Sequence, residues 1–137
     1  MPSSPPATAA ERVASARVGR LATVTPDGRP HVVPVCFALH EGDIVTAVDR
    51  KPKTTRALQR LANVRATGRA SLLVDHYEED WARLWWVRVD GAAEVIESEA
   101  AIDALARKYE QYRAARPEGP VVVLHPGAWR SWIPSEA

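Results

Sequence analysis

The turn signal Pro26-Asp27-Gly28-Arg29 separates two strand-like runs, Val18 to Thr25 and His31 to Leu39. Proline, aspartate and glycine in that order favour a tight reversal, so the two runs should lie side by side and antiparallel. The second run, HVVPVCFAL, is long and apolar yet contains Pro34. Proline lacks the N–H that a central strand gives its neighbour, so this segment belongs at a sheet edge or is broken by a bulge. Glu41-Gly42-Asp43 then turns into a third strand, Asp43 to Val48.

The later elements fit an antiparallel sheet. Ala70 to Asp75 (ASLLVD) and Leu84 to Ile96 (LWWVRVDGAAEVI) read as a fourth and a fifth strand, with Gly91 as a bulge. Val121 to Leu124 and Ala128 to Ile133 complete the sheet, and His125-Pro126-Gly127 between them reads as a kink or turn. Thr8 and Glu11 have capping-box spacing and open a short helix to about Arg17. Ser98 caps another, in which Ile102, Leu105, Ala106, Tyr109 and Tyr112 share one face and which ends before Pro117. Residues 1–7 are expected to be a disordered tail and 8–137 a single domain. Short strands joined by hairpins, with helices inserted rather than alternating, predict a mainly β (α+β) chain. The expected form is a closed or half-closed antiparallel barrel of six to seven strands. No glycine fingerprint for dinucleotides and no GxxxxGK[ST] loop occurs.

The stretch Arg50 to Asp75 carries seven basic residues and no acidic one before its last position. Pro52 suits the first turn of a helix, Thr54 and Thr55 offer hydroxyls there, and Lys51 and Lys53 flank the same point. Free N–H groups, the positive end of a helix dipole and two ammonium groups would make a phosphate site. The same residues also suit a solvated basic helix face. The net charge of the whole chain is only +1, which argues against a nucleic-acid partner, and the aromatic residues do not interleave with the basic run. No apolar run reaches the roughly 18 to 20 residues that span a bilayer, and no signal pattern opens the chain. One cysteine fits a reducing compartment, and a cytoplasmic protein without a membrane partner is expected.

Cys36 has no His/Asp arrangement with it and reads as a small buried hydrophobe or a neighbour of a bound chromophore. His31, His40, His76 and His125 show no metal-ligand spacing, and His125 reads as a turn residue. Trp85 and Trp86 are consecutive in a strand and must point to opposite faces, one into the barrel and the other toward a partner or ligand. Trp129 and Trp132 are expected to make packing or dimer contacts.

The turn PDGRPHVVPV, the KPKT run, RASLLVD and WWVRVDGAAEV, in that order and spacing, resemble the split-barrel flavin and deazaflavin oxidoreductase superfamily of the pyridoxamine-phosphate-oxidase-like class. Within it the chain is most similar to the small actinobacterial-type enzymes that use coenzyme F420 rather than FMN. The resemblance implies an FMN-binding type of split barrel and a homodimer with the cofactor in a groove between subunits. It implies that Lys51, Lys53 and Thr54 hold the cofactor phosphate. It also implies that the strand of His31, Val32, Val33, Pro34 and Cys36 meets the ring edge through backbone groups, and that Trp86 reaches the cofactor from the partner subunit. Arg50, Arg56 and Arg60 are placed to attract the acidic tail of F420, or are simply solvated. The implied activity is hydride transfer between the deazaflavin C5 atom and a conjugated planar small molecule, with no dedicated catalytic side chain. FMN in the same fold, or an F420 carrier without turnover, are the alternatives.

Overall fold

Alternating apolar residues make the strands, and the strands make one sheet. The computed structural model describes residues 7–48 and 55–134, with side chains throughout except at 55–58. The expected tail, Met1 to Pro6, lies outside the described residues, as do Arg50, Lys51, Pro52, Lys53 and Thr54 and the side chain of Arg56. The strands are β1 (Gly19–Val24), β2 (Pro30–Val35), β3 (Ala38–His40), β4 (Asp43–Ala47), β5 (Arg69–His76), β6 (Trp85–Ile96) and β7 (Val121–Trp132). The helices are α1 (Ala7–Ser15), α2 (Thr55–Thr67), α3 (Glu99–Lys108) and α4 (Glu110–Ala114). All strand pairings are antiparallel, in the order β2-β1-β5-β6-β7-β4-β3. This is the expected antiparallel split barrel with inserted helices.

The sheet curls on itself. Val35 and Leu21 come from one end of the strand order and Ile44 from the other, yet all three join one buried cluster with Leu72, Val87, Val89 and Phe37. Alternation along each strand supplies this inner face. Val13 of α1 and Leu61 and Val64 of α2 close it. A second cluster lies on the outer face of β4 and β7, where Val45, Val121 and Val123 meet Ile102 and Leu105 of α3. Val121 to Leu124 are therefore buried at every position, since both faces of that stretch are covered. Ser98 caps α3 as expected, its side chain accepting from the Ala101 N–H at 3.1 Å.

Pro34 lies in β2, which is the edge strand. The single run His31 to Leu39 is corrected, because Cys36 and Phe37 separate β2 from β3. The cause is Tyr109, whose hydroxyl accepts from the Phe37 N–H at 3.0 Å and shares its proton between the carbonyls of Phe37 and Arg17, at 2.9 and 3.0 Å. Tyr109 also ends α3, dividing the expected helix into α3 and α4. Lys108 beside it lies 4.0 Å from the Phe37 ring centroid, and burial there, with the charge of Arg17, lowers its ammonium pKa to about 8.

The two expected last strands are one strand, β7. Asp90 faces Ala128 and Gly91 faces Pro126, so the extra residue of the bulge is Gly127 on β7, opposite the Asp90–Gly91 step. A Cβ on Gly91 would collide with the His125 carbonyl oxygen, which is why glycine sits there. No helix among the described residues is long and apolar enough to cross a membrane.

Candidate functional site

The β2 edge offers a short row of backbone groups. The Thr25 N–H donates to the Arg29 carbonyl at 2.9 Å, extending the β1–β2 register by one bonded pair. Antiparallel pairs alternate, so His31, Val33 and Val35 exchange bonds with β1 while Pro30, Val32 and Pro34 turn their backbone groups to the open edge. Two of those three are prolines without an N–H. Val32 is therefore the position in this row that can both donate and accept, and its side chain is 61% exposed.

The register also defines the outer face from β2 to β7. One row across it runs Pro34, Arg20, Leu73, Arg88, Arg130, and the next runs Val32, Ala22, Ser71, Asp90, Ala128. On the other side of the first row stand Asp75, Trp86 and Trp132. No helix of the described residues contributes to a buried cluster on these rows. Arg20 pairs with Asp75 at 3.0 Å, and Arg88 contacts both oxygens of Asp90 at 2.9 and 3.1 Å, with the Ser71 hydroxyl donating to Asp90 at 2.7 Å. Burial works to raise the Asp90 pKa, but those bonds and the nearby Arg130 charge hold it below the usual carboxylate range.

Trp86 and Trp132 oppose each other directly and remain 37% and 48% exposed. With Leu73, Leu84, Tyr77 and Arg88 they line a cleft of about 750 Å³. Trp85 does the opposite, as strand alternation requires. It packs on the inner cluster, under the Arg12 guanidinium at 4.9 Å from the ring centroid, and stacks with His76. Trp129 packs on the same cluster.

The candidate residues divide between the two faces. Val32, Pro34 and Trp86 share the outer face, Val33 packs on the inner cluster, and Cys36 packs on the second cluster, its carbonyl accepting from the Thr46 hydroxyl at 2.7 Å. His31 is half-buried, and its Nδ1 has no hydrogen-bond partner among the described residues. Three strand spacings separate β2 from β6, about 14 Å, so Trp86 does not reach Val32 within one chain. Lys51, Lys53 and Thr54 lie outside the described residues. Leu73, Arg88, Arg130 and Trp132 were not singled out from the sequence as a group, since only strand register brings them together.

His125 is corrected from a turn residue to a strand residue of β7. Its Nδ1 bonds Asp43 at 2.9 Å and its Nε2 bonds Glu94 at 2.6 Å, tying β4, β6 and β7 together. The bond to Glu94, and then that to Asp43, raise its pKa above the usual imidazole value against the opposing effect of burial. No metal-binding group of His, Cys, Asp or Glu occurs among the described residues.

The solved structures most like this one include the conserved hypothetical protein Rv2991 from Mycobacterium tuberculosis. It is 25% identical with a TM-score of 0.75, over 96% of this chain and 86% of that one. A heme binding protein from Mycobacterium smegmatis is 26% identical with a TM-score of 0.68, over 96% of this chain and 59% of that one. An FAD binding protein from Mycobacterium smegmatis, 18% identical with a TM-score of 0.63 over 93% of each chain, shares the fold. No curated protein matches. The pyridoxamine 5'-phosphate oxidase family pattern matches residues 5–133, and with the antiparallel split barrel this shows that the chain belongs to that family.

Proposed function

We propose that this protein is an F420-dependent oxidoreductase that moves a hydride between the deazaflavin C5 atom and a conjugated planar small molecule. The observation that carries the reading is the β2 edge, where Val32 offers an N–H and a carbonyl between two prolines. A fused heterocycle with a polar rim and apolar faces needs this kind of partner, a strand edge for the rim and flat side chains for the faces. The donor set fits the ring. Val32 and the Pro34 carbonyl would meet the ring rim, His31, Val33 and Cys36 belong to the strand and junction that hold them in place, and Lys51, Lys53 and Thr54 would hold the phosphate.

When bound, the deazaflavin supplies the hydride. The chain's own residues bind, orient and exclude water, and solvent supplies the accompanying proton. Both carboxylates on the outer rows, Asp75 and Asp90, are committed to arginines, which supports a site without a dedicated acid. The reading includes a homodimer. Trp86 stands too far from Val32 to share a ligand within one chain, so it meets the ring held by a second copy, across the uncovered outer face.

FMN fits the same donors, because ring edge and phosphate are common to both cofactors. A second reading, a protein that holds a planar cofactor without turning it over, is favoured by the likeness to the heme binding protein at 26% identity. Hydride transfer from reduced F420 to a panel of quinones, tetrapyrroles and enones, followed by cofactor absorbance, separates the readings. Turnover with any acceptor supports the enzyme; tight cofactor binding with no turnover across the panel favours the holding protein.

A further inference from the structure

We propose that the Trp86–Trp132 cleft binds a planar aromatic anion, its ring against the two indoles and its negative group on the guanidinium groups of Arg130 and Arg88. This rests on the reading that the chain acts on a planar conjugated molecule, and it adds that molecule's charge and its place. Trp86 and Trp132 are a directly opposed cross-strand pair, so their side chains stand next to each other on one face. Both keep more than a third of their surface exposed, beside Leu73 and Leu84 in a concavity of ligand size, about 750 Å³. Large rigid rings bind a flat partner with little loss of side-chain freedom.

The charges beside the rings are unbalanced. Two positions along from the tryptophans, on the same face, Arg88 directly opposes Arg130, an arrangement of like charges that costs stability in a sheet. Two acids stand among them: Asp75 lines the cleft and is paired with Arg20, and Asp90 is taken by Arg88 in a two-oxygen contact and by Ser71. Arg130, beside the cleft by strand register, makes no hydrogen bond or ion pair among the described residues, and its charge acts on Asp90, which Arg88 already holds. An anion seated beside the indoles would relieve the opposed pair and use the fork geometry of a guanidinium.

The test is calorimetric titration of the full chain with 2-naphthoate and its neutral counterpart 2-naphthamide. Wild type is expected to prefer the carboxylate by about tenfold. Arg130→Gln should remove that preference while leaving the amide unchanged. Trp132→Ala should weaken both by about tenfold, and Trp132→Phe should restore most of the loss. Circular dichroism checks that each variant folds, and Arg130→Gln, at an exposed position, carries the test if Trp132→Ala does not fold. Equal affinity for the two probes, or a preference unmoved by Arg130→Gln, would overturn the proposal. So would a change from dimer to monomer on Trp132→Ala with naphthoate binding intact, which would give the tryptophan pair to a second copy. F420 and FMN binding are measured on the same samples. Their absence with the naphthoate preference intact would sink the cofactor reading alone, and the reverse result would sink the cleft alone.

Discussion

The two halves of the sheet are built to different ends. Across β4 and the first part of β7 both faces are covered, the inner by the barrel cluster and the outer by α3, and Val121 to Leu124 have no exposed side. Across β2, β1, β5 and β6 the inner face is equally buried, but the outer face carries Val32, Arg20, Leu73, Arg88 and Trp86 without a helix over it. Burial on two faces gives a region that can only be structural. Burial on one face leaves a surface whose rings, charges and backbone edge are available for binding, and that difference locates the candidate site.

Breaking the covered half should cost most. Leu105→Ala empties a fully buried position on the packed face of α3 and should lower stability by about 3 kcal/mol in urea unfolding. Tyr109→Phe should cost about 1 to 2 kcal/mol, since it leaves the buried Phe37 N–H without its acceptor. In the open half Val32→Ser should change stability by less than about 0.5 kcal/mol, as the side chain is mostly exposed. Arg20→Gln belongs with it, because its ion pair with Asp75 is half-exposed on both sides and is worth at most about 1 kcal/mol. A large loss on Val32→Ser would show that the open face is structural after all.

The smallest effect tests the seam, where His125 joins Asp43 of β4 to Glu94 of β6. Its folded pKa is raised above 6.5, so its contribution is fully present below the unfolded value and fades as pH rises through the folded one. Unfolding at a series of pH values from 5.5 to 8.5 should show a modest fall in stability toward the alkaline end. His125→Gln should flatten that slope.

Much of the frame was legible because its signals are local. Turn residues mark the hairpins, Ser98 marks a helix start, and Pro34 marks the edge strand. The junctions were not. Cys36–Phe37 and the end of α3 are set by Tyr109, whose hydroxyl joins residues 72 positions apart, and nothing adjacent in sequence announces that bond. His125 beside Pro126-Gly127 looked like a turn because the bulge that absorbs Gly127 depends on β6, more than thirty residues earlier. The outer face was half legible. Alternation separates Trp85 from Trp86, whereas the opposition of Trp86 to Trp132 and of Arg88 to Arg130 needs the register of two long strands.

The most direct test of the cofactor reading is equilibrium binding of F420 and of FMN by fluorescence, with Lys53→Ala alongside. Selective binding of F420, weakened at least about tenfold by the substitution with stability unchanged, is the expected result. Failure of both cofactors to bind the folded protein would contradict it and leave the family membership without the cofactor reading.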